Sequence, residues 1–167
     1  MARNHLEDLV AEWYEFQGFF VRRNVSVGKR VRGGYECELD VVAFHPEKRL
    51  LVHVEPLDAD SWATREARYA KKFEAGRRYI PSLFPGFDLP AEIEQIAVFA
   101  SGGPKGRSTL ANCRVLFAND LIVQTFMSLR GRRLASSAIP EHLPILRSFQ
   151  FVLEAWPRLV AEFGRGG

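Results

Sequence analysis

Glu36, Glu38, Asp40 and Glu55 stand in two short runs whose spacing can gather carboxylates. The first run is Tyr35-Glu36-Cys37-Glu38-Leu39-Asp40-Val41-Val42-Ala43-Phe44 and the second is Leu50-Leu51-Val52-His53-Val54-Glu55. A strand sends successive side chains to opposite faces, so Glu36, Glu38 and Asp40 are expected together, away from Cys37, Leu39 and Val41. In the second run Leu51, His53 and Glu55 share a face. His45-Pro46-Glu47-Lys48-Arg49 between them is polar and holds a proline, which suits a turn joining antiparallel neighbours. When the polar faces of such a hairpin coincide, Asp40 and Glu55 converge. Crowded carboxylates resist ionisation unless something positive lies among them. Hard divalent cations such as Mg²⁺ take carboxylate oxygens and keep waters that can be activated for attack on phosphate. A solvated strand face is the competing reading of Glu36 and Glu38.

Helices must bring the remaining groups to these strands. The spacing of Leu6, Leu9, Val10, Trp13 and Phe16 predicts a helix from about His5 to Gln17, stopped by Gly18. Glu7 lies beside that stripe, where an acid also suits the positive end of the helix dipole. Arg22, Arg23, Lys29, Arg30 and Arg32 follow, interrupted by Gly28 and closed by Gly33-Gly34. They read as a basic loop that either binds phosphates or is simply solvated. After Glu55, Asp58, Asp60 and Ser61 belong to a turn, with Asp60 or Ser61 as a helix cap. The next helix is predicted over Trp62 to about Arg78, with Trp62, Tyr69 and Phe73 inward. Its cations Arg65, Arg68, Lys71, Lys72, Arg77 and Arg78 form a phosphate-binding ridge or a solvated face. Lys72 is in line with Tyr69 and Gly76, and Lys71 is turned about 100° away.

The second half is less informative chemically. Pro81 to Pro90 reads as an irregular loop, Glu92 to Ala100 as a strand, and Ser101 to Ser108 as a basic loop without the spacing of a nucleotide-binding P-loop. A strand over Cys113 to Phe117 and a helix from Asn119 follow. A last helical region, Glu141 to Phe163, has an apolar stripe expected to be buried on the sheet or on a second subunit, and Pro157 is expected to kink or interrupt it.

The chain has 167 residues, 47% hydrophobic, enough for one domain with a proper core. The element order predicts a single α/β domain, 1–167, with a mixed central β-sheet flanked by helices. Net charge is only +3, but 18 of the 23 basic residues are arginine, whose planar fork suits phosphate. Cys37 and Cys113 are expected as buried free thiols in a reducing compartment. No signal peptide or membrane-spanning run is legible, so the expected location is cytoplasmic.

A helix, then a Glu-Leu-Asp strand, then a hydrophobic strand ending in Glu55: this order over the first half of the chain resembles the PD-(D/E)XK nuclease superfamily, which includes restriction endonucleases and Holliday-junction resolvases. The resemblance implies a restriction-endonuclease-like fold, a bound Mg²⁺ or Mn²⁺, and nucleic acid, DNA above all, as partner. Asp40 and Glu55 match the two metal-binding acids of the family. The motif lysine, two residues after the glutamate, is replaced by Leu57. Glu7 matches a helical glutamate that joins the metal site in resolvase-like members, and Glu38 is a further candidate ligand. Some members carry the lysine on the following helix, a role that falls to Lys72, with Lys71 as the alternative. His53, on the Glu55 face, is a candidate acid, base or hydrogen-bond donor, or a packing residue. The expected activity is divalent-metal-dependent hydrolysis of DNA phosphodiester bonds, with Arg22, Arg23, Lys29, Arg30, Arg32, Arg65, Arg68 and Lys71 holding the backbone. Leu57 sustains the alternative of a catalytically inactive nuclease fold that binds nucleic acid or docks a protein partner. A homodimer through the C-terminal helices is also expected.

Overall fold

The computed structural model describes residues 4–57, 62–100 and 109–164, and no side chain at 57 or 62–65. Asp58, Asp60, Ser61, the side chains of Leu57, Trp62 and Arg65, and the expected basic loop at 101–108 therefore lie outside the described residues. Two compact units divide the chain, 1–118 and 119–167.

The first unit opens with helix α1, His5–Phe16, whose N-cap Asn4 accepts the Leu6 N–H through its side-chain oxygen at 3.0 Å. Glu7 and Asp8 fall in its first turn, at the positive end of the dipole. Gly18, at φ 89, takes the left-handed conformation that ends the helix and turns the chain into the sheet. Strand β1, Phe20–Lys29, pairs antiparallel with β2, Tyr35–His45, in a single register from Phe20 opposite Phe44 to Lys29 opposite Tyr35. The expected basic loop is thus mostly strand: Arg22, Arg23 and Lys29 lie in β1, and only 30–34 form the turn. Gly33 and Gly34, at φ 89 and 77, supply its left-handed positions.

Strand β3, Leu50–Leu57, returns antiparallel to β2, with Val41 opposite Val54 and His45 opposite Leu50. Helix α2, Trp62–Tyr79, then crosses to β4, Glu94–Phe99, which lies parallel to β3. Such a parallel connection needs a crossover, which α2 provides. One turn of 3-10 helix, Ile80–Leu83, precedes it. Strand β6, Cys113–Phe117, extends the sheet parallel to β4, and the two-residue strand β5, Thr109–Leu110, pairs on its outer edge. The result is a mixed six-stranded sheet in the order β1-β2-β3-β4-β6-β5, flanked by helices, the α/β architecture that the sequence pattern predicts. Val42, Phe44 and Leu51 pack against Ala75 of α2, with Ile80 and Phe84 beyond it. A second cluster joins Tyr69 and Phe73 of α2 to Ala97 and Phe99 of β4.

The second unit contains helix α3, Ala118–Leu129, from residue 119 on, and helix α4, Pro144–Phe163. Phe126 stacks on Phe149 with ring centroids 4.7 Å apart. Gln150 is fully buried and holds the connecting segment: its Oε1 accepts the Ile139 N–H at 2.8 Å, and its Nε2 donates to the Ser137 carbonyl at 3.1 Å. Helix α4 continues through Pro157, so the proline does not interrupt it. Its stripe is also less buried than the periodicity predicts, since Trp156 and Val160 are each 52% exposed. Cys37 and Cys113 are free thiols, the first half-buried and the second buried. Among the described residues no helix is long and apolar enough to cross a membrane.

Candidate active site

The β2/β3 ladder ends at Val41 opposite Val54. One step further along this register Asp40 faces Glu55, and the Asp40 N–H donates to the Glu55 Oε1 at 3.2 Å instead of to a backbone carbonyl. The carboxyls share a face and a common donor, the Lys72 ammonium, so the convergence expected from strand alternation is present.

Lys72 enters from α2. Its Nζ donates to Asp40 Oδ1 at 2.6 Å and also to Glu55 Oε2. Helical phase explains this reach: Tyr69, Lys72, Phe73 and Gly76 recur on the side of α2 that faces the sheet, and the Tyr69 hydroxyl donates to the Glu55 backbone carbonyl at 3.1 Å. Lys71, one residue away, is exposed.

Behind Glu55 lies a chain of buried polar groups. His53 is 0% exposed, and its Nε2 lies 2.7 Å from Glu55 Oε1. Burial, with the nearby Lys72 charge, lowers the imidazole pKa to about 3, so the ring is neutral. A neutral ring that donates from Nε2 must accept at Nδ1, and Gln95 Nε2 stands 3.3 Å from that atom. Gln95 is the cross-strand neighbour of His53. Its amide also donates to the Phe73 carbonyl at 2.8 Å and its Oε1 accepts from Arg77 at 2.6 Å. Each member thereby fixes the next, and Glu55 Oε1 is held by two donors while Oε2 faces Lys72. Gly76 makes the approach possible: a Cβ there would collide with Nδ1 of the His53 ring. His53 thus touches Glu55 and has no exposed surface of its own.

Electrostatics in this pocket are dominated by burial. It pushes Asp40 up to about 7, with the neighbouring Glu55 adding to the shift and Lys72 opposing it. Burial also raises Glu55, against the pull of Lys72. Burial works against the Lys72 ammonium, but the two carboxylates outweigh it and raise its pKa. Glu7 is raised by burial and by the charge of Asp40, with a smaller push from Glu38. Glu7 thus lies within electrostatic reach of the centre, although its Oε1 accepts from Asn4 at 2.9 Å. Glu36, expected on the same face as Asp40, also meets α2, but further on: its Oε2 accepts from the Tyr79 hydroxyl at 2.6 Å.

Among the described residues no group of three or more His, Cys, Asp or Glu side chains is arranged to hold an ion. Two carboxylates converge, and the ammonium of Lys72 lies between them. The donor chemistry of the pair, two carboxylates that offer only oxygen, is nevertheless the kind a hard cation takes.

The expected phosphate-binding cations are divided. Arg23 is held by Asp8 at 3.1 Å and Glu15 at 2.8 Å, both on α1, and Arg22 donates to the Leu83 carbonyl at 2.7 Å. Both are tied to the fold, a role the charge count does not reveal. Lys29, Arg30 and Arg32 are exposed at the hairpin tip, and Arg68 and Lys71 are exposed on α2. Gln95, Arg77 and Gly76 went unrecognised as parts of the site; the placement of Gly76 four residues after Lys72 was their one legible signal.

Compared with models of protein families, with curated proteins and with solved structures, the chain matches none.

Proposed function

We propose that the protein is a divalent-metal-dependent nuclease of the restriction-endonuclease-like type that hydrolyses DNA phosphodiester bonds. The observation that carries this reading is Lys72, whose ammonium bonds both Asp40 and Glu55 from the adjacent helix and so supplies the cation that Leu57 cannot. Asp40 and Glu55 would hold Mg²⁺ or Mn²⁺, with Glu7 and Glu38 as outer acids. The bound ion supplies a water of lowered pKa and a counter-charge for the phosphate. Lys72, released from one carboxylate, would stabilise charge on the attacked phosphate or its leaving oxygen. His53 and Gln95 keep Glu55 in a single orientation throughout. Lys29, Arg30 and Arg32 at the hairpin tip, with Arg68 and Lys71 on α2, would bind phosphates on either side of the scissile bond.

A second reading has its own support. The ammonium already bonded to both acids also describes a settled internal ion pair, as expected of an inactive nuclease fold that binds nucleic acid or docks a protein partner. Crystals soaked in Mn²⁺ separate the two. The nuclease reading requires an anomalous peak between Asp40 and Glu55, with the Lys72 ammonium moved from at least one carboxylate. An undisturbed ion pair without a peak, in protein that still binds DNA in a salt-dependent manner, would favour the inactive fold.

A further inference from the structure

We propose that the substrate is duplex DNA and that the tip of the β1–β2 hairpin enters its major groove about six base pairs from the bond that is cut. The position of the cut rests on the nuclease reading, whereas the groove contact stands apart from it. The geometry begins where the sheet opens. Strand β2 pairs with β3 from His45 opposite Leu50 to Val41 opposite Val54, but with β1 as far as Tyr35 opposite Lys29. Past the acids, therefore, 25–29 and 35–39 run on as a two-stranded ribbon that ends in the turn 30–34. From Asp40 to Tyr35 is about 17 Å at the strand rise, so the turn lies roughly 20 Å from the acids. Packing holds the ribbon at that distance: Val25 and Val27 are buried in one cluster with Ala75 and Ile80, and the Tyr79 hydroxyl donates to Glu36 Oε2 at 2.6 Å. Gly28, at φ 69, admits that hydroxyl, with which a Cβ there would collide.

The tip carries Lys29, Arg30 and Arg32, all exposed, and Val31 stands fully exposed between the arginines. At the other end Arg68 and Lys71 are exposed on α2 beside Lys72. Two cationic points about 20 Å apart, with the ribbon held by packing, suit a polyanion whose phosphates keep their spacing over that length. A DNA duplex does so: it is stiff over about 150 base pairs, and at a rise of about 3.4 Å roughly six base pairs cover the span. A single strand would lose conformational freedom to reach both points. It also favours aromatic platforms, and 29–35 offers one aromatic residue, Tyr35. A two-stranded ribbon enters the ~12 Å major groove but not the ~6 Å minor groove. There the three cations meet phosphates along the groove walls, and Val31 meets base edges, where thymine methyls are apolar partners. Glu36, the acid nearest the tip, is paired with Arg78 at 3.5 Å and does not oppose the approach.

Fluorescence anisotropy of the full chain with a duplex of several helical turns, in metal-free buffer, tests the groove contact. Wild type should bind the duplex about tenfold or more tightly than either of its single strands. Methyl green, which occupies the major groove, should displace the protein at concentrations at which netropsin, which occupies the minor groove, does not. Arg30→Ala combined with Arg32→Ala should lower the salt slope by about two units. Both side chains are exposed on the turn, so folding stays intact, which far-UV circular dichroism checks. An iron–EDTA chelate on Val31→Cys, in a Cys37→Ser background, measures the distance, because it cuts DNA by hydroxyl radical beside the tip. With Mg²⁺ added, the chelate and the protein's own cut should together release fragments of about six base pairs wherever the protein binds. Equal affinity for single strands, displacement by netropsin alone, an unchanged salt slope, or fragments of a clearly different length overturns the proposal. A protein that cuts nothing but meets the binding expectations contradicts the nuclease reading and upholds the groove contact.

Discussion

The two units depart from ordinary burial in opposite directions. In the first, charge is inside: Glu55 is 1% exposed, Asp40 8%, and a neutral histidine and a glutamine are buried behind them. In the second, apolar surface is outside, with Phe163 80% exposed at the end of an amphipathic helix. Each departure costs free energy that a fold selected for stability alone would avoid, because buried charge is desolvated and exposed apolar surface stays hydrated. Local rules of burial tend to be broken at sites of function. The contrast also separates what such sites need. A reactive centre needs rigid orientation, which a closed hydrogen-bond chain supplies; a contact surface needs area that is free to be covered.

Substitutions can break this contrast at graded cost. Gly76→Ala should be the most severe, since the new Cβ meets the His53 ring and the helix backbone cannot retreat from it. A loss of about 2–3 kcal/mol is expected, despite the gain of about 1 kcal/mol that alanine usually brings to a helix. Chemical denaturation measures it, and an unchanged midpoint would mean that the close approach of α2 and β3 is wrong. Phe163→Ser, in contrast, should change the stability of monomeric protein by less than about 0.5 kcal/mol, as for other exposed positions.

A pH titration of stability sharpens the account of the buried acids. The Asp40 carboxyl ordinarily titrates near 3.8 and here near 7. Between those values the folded protein holds a proton that the unfolded chain has released, so stability in metal-free buffer falls as pH rises from about 4 through 7. Asp40→Asn should flatten that slope, the remainder belonging to Glu55, whose carboxyl burial also raises. A melting temperature that instead rises with pH over this range and is unaffected by Asp40→Asn would contradict the buried, crowded carboxyl.

The smallest effects concern the surface cations. Arg23→Ala should cost no more than about 1 kcal/mol of stability, as for partly exposed ion pairs, and leave DNA binding unchanged. Arg30→Ala should leave stability unchanged and reduce the salt dependence of DNA binding by about one unit of slope. The reverse outcome would exchange the roles assigned here to strand and hairpin tip.

Much of the first unit was legible because its rules are local. Strand alternation and one short polar turn are enough to set Asp40 against Glu55, and helical phase singles out Lys72 over Lys71. What escaped depends on contacts between distant segments. That Arg23 belongs to Asp8 and Glu15 follows from α1 lying beside β1, which no spacing within either segment reveals. Gln95 joins the site only because β4 lies parallel to β3 in a register that sets it beside His53. A strand beginning at Phe19-Phe20-Val21 is legible, but from Arg22 on charge and glycine suggest a loop and mask the alternation of Val25 and Val27 that carries the strand on to Lys29. For α4, periodicity defined the apolar face correctly but could not say whether this chain covers it.

Cleavage of DNA by purified protein in Mg²⁺ or Mn²⁺, compared among wild type, Lys72→Ala and Lys71→Ala, tests the central claim most directly. Lys72→Ala should lower the rate by roughly a hundredfold or more, as for other preorganised electrostatic groups, while DNA affinity and the Lys71→Ala rate stay near wild type. A Lys72→Ala protein that cuts as fast as wild type, or a wild type that binds DNA and cuts none with either metal, would contradict it.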